Sequence, residues 1–196
     1  MTKTKRYHHG DLRAELIRTA ITKIATDGVA AMTLRGLAKD LGVSHAAPAR
    51  HFVSRTELLA TIARDGLAGM VDESINNSKH EANGVARLRA VAKGYMNWVR
   101  ANPAYYQVLR LPDLMSHRDE AAADLLRKFA KYQTENVQAA QREGWRSNED
   151  TQLLFMQIVA FIVGLAVMGT DSSYATAFPE IDIFDRADAT IDQFFS

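Results

Sequence analysis

The sequence contains no cysteine. That excludes a disulfide framework and thiolate-ligated metal, and it fits a reducing cytoplasm. The motifs by which common catalysts are recognised are missing as well. There is no Gly-x-Ser-x-Gly elbow, phosphate-cradling glycine-rich loop, His-Glu-x-x-His or spaced carboxylate cluster, so neither a catalytic residue nor a cofactor is expected. Strand-like alternation of any length, internal repeats and low-complexity tracts are absent too, which leaves helical periodicity as the organising pattern. Residues 2–11 are basic and polar with no apolar core behind them, so no secretory signal is expected.

What is present suffices for a folded chain. At 196 residues with 47% hydrophobic residues, the chain can bury the core of one generous domain or two small ones. The formal net charge of +1 hides an uneven spread. Residues 1–60 carry 10 Lys/Arg against 5 Asp/Glu, a balance of +5, and the remainder carries 14 against 18, a balance of −4. An excess of cations in one part is what a nucleic-acid-binding domain requires, because phosphate neutralisation supplies most sequence-independent affinity for DNA; a solvated surface is the plainer alternative.

The stretch from Thr33 to Phe52 gives that charge a shape. Thr33 is placed to cap a helix, and Leu34, Leu37, Ala38 and Leu41 follow at the spacing of one apolar helix face. Gly42 falls where the helix must reverse, since glycine enters the left-handed region without a steric penalty, and Ser44 is placed to cap a second helix. This is a helix-turn-helix pattern, whose second helix lies in the major groove of DNA. Ahead of it, a helix over 11–27 carries Leu12, Leu16, Ile17, Ala20, Ile21 and Ile24 on one face and ends at Gly28, to cover the motif from behind. Lys3, Lys5 and Arg6 form a basic arm that either reaches DNA or stays disordered. His8 and His9 point to different sides with no third ligand near, so no metal site is expected.

Tyr7-His-His-Gly-Asp-Leu-Arg13, Thr33-Leu-Arg, Leu37-Ala38, Gly42-Val-Ser44 and Arg50-His-Phe52, followed by Arg55, Glu57 and Leu58-Leu59, stand in order across residues 7–62. This set resembles the DNA-binding domain of TetR (tetracycline-repressor-like) transcriptional regulators. The resemblance implies that Thr33 meets a phosphate, that Ser44, His45, Ala46 and Ala47 open the recognition helix toward the groove, and that Arg50, His51 and Arg55 hold the DNA backbone. Arg55 stands where the family usually has lysine. Ala49 stands where members commonly carry an aromatic residue whose hydroxyl contacts phosphate. Pro48, lacking an amide hydrogen, is expected to tighten or distort the first turn of the recognition helix. Weakened rather than abolished DNA binding follows.

Phe52 is expected in the core. A long helix begins near Arg55, with Gly66 and Gly69 either softening its middle or simply tolerated. Asn76 to Gly84 reads as a polar turn, and further helices follow over 85–101, 103–111 and 120–142. The overall expectation is an all-α protein: an N-terminal three-helix bundle with the helix-turn-helix (1–55) and a C-terminal helical effector-binding and dimerisation domain (56–196). Met70, Tyr95, Trp98, Tyr105, Tyr106, Leu109, Met115 and Phe129 are candidates to line an effector pocket, with Asn97 or His117 as a polar handle; the bland alternative is the core of a helical bundle. Leu153 to Gly169 is apolar on every side except at Gln157. It is expected to be buried all round, and a dimer core is preferred to a membrane span because the run is short. Phe161, Gly164, Leu165, Met168, Ile191 and Phe194 are the expected interface residues. The expected partners are double-stranded DNA with a palindromic operator, its half-sites about 34–36 Å apart or a multiple, a small apolar or amphipathic effector, and a second copy of the chain, in the cytoplasm. The competing expectation is a helical sensor or adaptor with weak or lost DNA binding.

Overall fold

In the computed structural model of the chain, residues 12–112, 114 and 120–196 are described. Lys3, Lys5, Arg6, His8, His9, Met115 and His117 lie outside them. Every regular element among the described residues is helical, in line with the all-α expectation.

The described chain forms two compact units, one of residues 12–65 with 104–112 and 114, the other of residues 66–103 with 120–196. In the first, α1 (Leu12–Asp27) buries Leu12, Leu16, Ala20 and Ile24 on one face. A 3₁₀ turn, Val29–Ala31, leads to α2 (Leu34–Asp40), which Thr33 caps by accepting the Gly36 N–H at 3.0 Å. The helix stops as its sequence requires. Gly42 adopts φ +67°, its N–H bonds to Lys39 O at 3.1 Å, and the next N–H, of Val43, reaches back to Ala38 O at 3.0 Å. This is a Schellman motif, which satisfies carbonyls the helix leaves open.

The next helix, α3 (Arg55–Ser78), starts on a reciprocal cap: Ser54 Oγ accepts the Glu57 N–H at 3.1 Å, and Glu57 Oε2 accepts the Val53 N–H at 2.6 Å. Phe52, Leu58, Leu59 and Ile62 close the core over α1 and α2, joined by Ala104, Val108 and Leu114. Phe52 is thus core, as expected, with the Arg13 guanidinium 5.1 Å from its ring centroid. The first unit therefore runs eleven residues into α3, to Asp65, and takes in most of α5 (Pro103–Leu109). Its limits differ from a division after residue 55 because apolar faces far apart in sequence complete one core.

The second unit holds the rest of α3, α4 (Gly84–Ala101), α6 (Glu120–Arg142), α7 (Thr151–Thr170), α8 (Ser172–Ala177) and α9 (Ile183–Phe194). Helix α4 packs on α6, α7 and α9. Where a polar turn was expected from Asn76, α3 continues to Ser78, because its polar side chains find internal partners: Asn77 Nδ2 donates to Ala90 O at 2.7 Å, and Ser78 Oγ pairs with Tyr132 OH at 2.8 Å. Two glycines set the helix spacing. A Cβ on Gly94 would stand 2.9 Å from Ser74 Cα, and one on Gly84 only 2.2 Å from Ala140 N. Helix α3 runs unbroken through Gly66 and Gly69, and a Cβ on Gly69 would stand 3.0 Å from Trp98 Nε1. That glycine makes room for an indole and does not break the helix.

Candidate nucleic-acid interface

The expected recognition helix opening at Ser44 does not form. Residues 45–47 make a turn, and only a 3₁₀ turn, Pro48–Arg50, follows. The cause is local. An α-helix from Ser44 would need the residue at 48 to donate an N–H to Ser44 O, and proline has none. Ser44 O instead accepts from Ala47 N at 2.9 Å, a shorter-range bond, and the tight winding continues through Arg50 N to Ala47 O (3.2 Å) and His51 N to Pro48 O (2.9 Å). Ser44 therefore enters the segment through its carbonyl and does not act as a helix cap. Pro48 itself is buried and anchors the turn.

Around this turn the exposed groups are polar, small or cationic, with Val53, 89% exposed, as the apolar exception. Thr33, Ser44, His45, Ala46, Ala49 and Arg50 are exposed, whereas Ala47 and His51 are half-buried. Thr33 Oγ1 already accepts its capping bond, so its hydroxyl hydrogen is what it can offer a phosphate. Arg35 and Lys39, one helical turn apart on α2, are also exposed. Among the described residues no acidic group stands within ion-pair distance of Arg35, Lys39 or Arg50. Lys23 differs: it lies 3.2 Å from Asp27 and 3.6 Å from Asp40, and the bond to Asp27 and the charge of Asp40 raise its pKa. Its charge is answered within the protein.

Arg55 has partners within the chain. Expected on the DNA backbone, it donates from Nε to Met32 O at 2.8 Å and from Nη2 to Val29 O at 2.7 Å. These two N–H groups form one of the two edges with which arginine can grip a phosphate, and backbone carbonyls occupy it.

The expected pocket residues divide between the two units. Tyr105, Tyr106 and Leu109 belong to the first. Tyr105 packs against that unit's core, and burial, with the charge of Asp65 second, raises its pKa above the ordinary 10.0. Met70, Tyr95, Trp98 and Phe129 belong to the second, with Met70, Trp98 and Phe129 buried and Tyr95 half-buried. Asn97 is exposed.

The expectation that α7 is buried on every side fails within one chain. Leu154, Ile158, Ile162 and Ala166 face inward. On the opposite side Leu153, Met156, Ala160 and Val163 are exposed, Leu153 by 59% and Met156 by 64%. The helix has 20 residues and is, by length and composition alone, long and apolar enough to cross a membrane. Of the expected interface residues, Ile191 is fully buried within the chain, because it faces inward from α9. Phe161 stacks on Phe194 with ring centroids 4.2 Å apart. Leu165 and Met168 are half-buried. A Cβ on Gly164 would meet nothing within 4 Å.

A family model described as the tetracyclin repressor-like C-terminal domain matches residues 88–194, more than half of the chain. The chain belongs to the TetR family. It is accordingly a DNA-binding transcriptional regulator. The nucleoid occlusion factor SlmA of Escherichia coli (strain K12 / DH10B) is 28% identical over 163 residues, 78% of this chain and 80% of the relative. Among solved structures, a protein of unknown function from Rhodococcus sp. RHA1 shares the fold with a TM-score of 0.76 at 24% identity, over 97% of each chain. The ketosteroid transcriptional regulator KstR2 of Mycobacterium tuberculosis does so with a TM-score of 0.73 at 17% identity, over 96% of this chain and 95% of that one.

In this TetR-family chain, sequence reasoning did not single out Arg35 and Lys39 as exposed cations on α2. Their signal was available: spaced i, i+4, they lie on the polar side of a helix whose apolar side is Leu34, Leu37 and Ala38. It also missed Leu153, Met156, Ala160 and Val163, for which a helix apolar all round offers no signal.

Proposed function

We propose that the chain is a homodimeric repressor whose paired reading segments hold a palindromic operator and release it when a small apolar or amphipathic effector binds. The observation that carries this reading is the surface around residues 33–51. There Thr33, Arg35, Lys39, Ser44, His45 and Arg50 stand exposed over an apolar core, the cations without an acidic partner among the described residues. Donors of this kind fit phosphate, and small Ala46 and Ala49 allow close approach to base edges and thymine methyls.

The second copy docks through α7. Its exposed Leu153, Met156, Ala160 and Val163 form a stripe that a second such stripe buries, and the open space at Gly164 admits a neighbouring backbone. On this reading α7 lies in a dimer core and the regulator works in the cytoplasm. The effector meets Met70, Tyr95, Trp98 and Phe129 of the second unit. It acts only through a difference in affinity between the DNA-bound and released dimers.

Sequencing the DNA that co-purifies with the protein tests the reading. Enrichment of one palindrome is expected, and a dimer that retains only random genomic fragments would sink it. The missing recognition helix and Ala49 favour one rival, a helical sensor with weak DNA binding. Equal affinity for the enriched palindrome and its scrambled version would select that rival.

A further inference from the structure

We propose that Arg55 is a positioning residue of the DNA reader, a clamp on the protein's own backbone that fixes where the reading segment starts and ends, and not a phosphate contact. The inference rests on the DNA-binding reading of residues 33–51 and specifies how that surface is held.

The geometry supports it in three steps. Arg55 is the first residue of α3, and its guanidinium edge grips Met32 O at 2.8 Å and Val29 O at 2.7 Å. Those carbonyls are the two ends of the 3₁₀ turn whose own closing bond runs from Met32 N to Val29 O at 3.2 Å. Thr33, the cap of α2, follows immediately, and its bonds to Gly36 N and Leu37 N, both 3.0 Å, start that helix. The reading segment lies between α2 and α3. A bond joining the residue before the cap of α2 to the first residue of α3 therefore ties the two flanks of the segment together.

Chemistry separates a clamp from a phosphate contact. A lysine ammonium serves a phosphate as a point charge nearly as well as arginine does, but it lacks the planar fork that holds two carbonyls in fixed directions. A phosphate gripped by this Nε–Nη2 edge would have to displace both carbonyls, and only the Nη1 side of the guanidinium lies outside the clamp. A reading segment made of tight turns, without an α-helix of its own, has few internal bonds to hold its shape and depends on such a fastening.

The test uses the full-length protein, a mixed-sequence DNA duplex and the variants Arg55→Met and Arg55→Lys. The salt dependence of duplex binding, thermal melting and amide hydrogen exchange at Gly36 and Leu37 are measured for each. A lost phosphate contact lowers the slope of log affinity against log salt by about 0.9 per subunit. The clamp predicts an unchanged slope for R55M, weaker binding at every salt concentration, a midpoint lowered by several degrees and faster exchange at Gly36 and Leu37. R55K is expected to show the same losses in part. A reduced slope for R55M, or an R55K indistinguishable from wild type in melting and exchange, overturns the proposal. If R55M does not fold, R55K alone decides. If wild-type protein shows no salt-dependent DNA binding, it is the DNA-binding reading that fails, and melting and exchange still decide whether Arg55 clamps.

Discussion

Replacing Met156 by glutamate tests the second copy directly. In a single chain Met156 is 64% exposed on the outer side of α7, so a carboxylate there should alter folding stability by no more than about 0.5 kcal/mol. In a dimer built through that face the same position is closed off from water. Loss of the methionine's burial removes roughly 1.5–3 kcal/mol per copy, and enclosing a carboxylate without a partner adds several kcal/mol even after relaxation. With one such position on each subunit, a combined loss of about 6 kcal/mol or more raises the dimer dissociation constant by about ten-thousand-fold. Sedimentation equilibrium at micromolar concentration should find wild type dimeric and M156E monomeric, with circular dichroism showing an intact helical chain. A dimer that survives M156E with unchanged affinity would refute the assignment of this face. A monomer that has lost its helices would refute the claim that the position is exposed in the single chain.

Three further outcomes follow from other features. Gly84→Ala places a Cβ 2.2 Å from Ala140 N and 2.7 Å from its Cα, both backbone, and disturbs the 2.7 Å bond from Gly84 N to Glu143; a loss of about 2–4 kcal/mol in denaturant unfolding is expected, and a loss below about 0.5 kcal/mol would show that α4 and α6 separate freely. Ala49→Tyr adds a hydroxyl donor on the exposed side of the reading turn and should tighten operator binding about fivefold per subunit, the worth of roughly one hydrogen bond; unchanged or weaker binding in a gel-shift titration refutes this. Tyr105, whose pKa is raised by burial and then by Asp65, keeps its proton in the folded state after the unfolded chain has lost it near 10.0. Its contribution is thus complete below pH 10 and falls away as pH rises through the raised value. Tyr105→Phe should flatten the alkaline arm of a stability profile, and an arm as steep as wild type would exclude Tyr105 as its cause.

Much of the reader is legible in the amino-acid sequence, and the reason is that its signals are local. The cap at Thr33, the left-handed stop at Gly42, the buried face of α1 and the core position of Phe52 each depend on neighbours within a few residues. Pro48 is legible as a disturbance, but whether one missing N–H bends a helix or prevents it depends on what else can bond Ser44 O. Arg55 carries the same charge whether it meets phosphate or backbone, and its partners lie 23 and 26 residues away. The inclusion of Ala104, Val108 and Leu114 in the first core is a long-range outcome of the same kind. Helix α7 is opaque for the opposite reason: with apolar residues on every side, its periodicity does not say which side a partner would take.

In the DNA-reading role proposed above, the tight turn at Pro48–Arg50 would limit how much sequence that turn itself can read. A 3₁₀ turn of this length advances about 6 Å, at roughly 2.0 Å per residue, whereas successive base pairs are about 3.4 Å apart. Side chains projecting from it therefore reach some two base-pair steps, far fewer than a helix lying along the groove. A half-site read this way holds few bits of information.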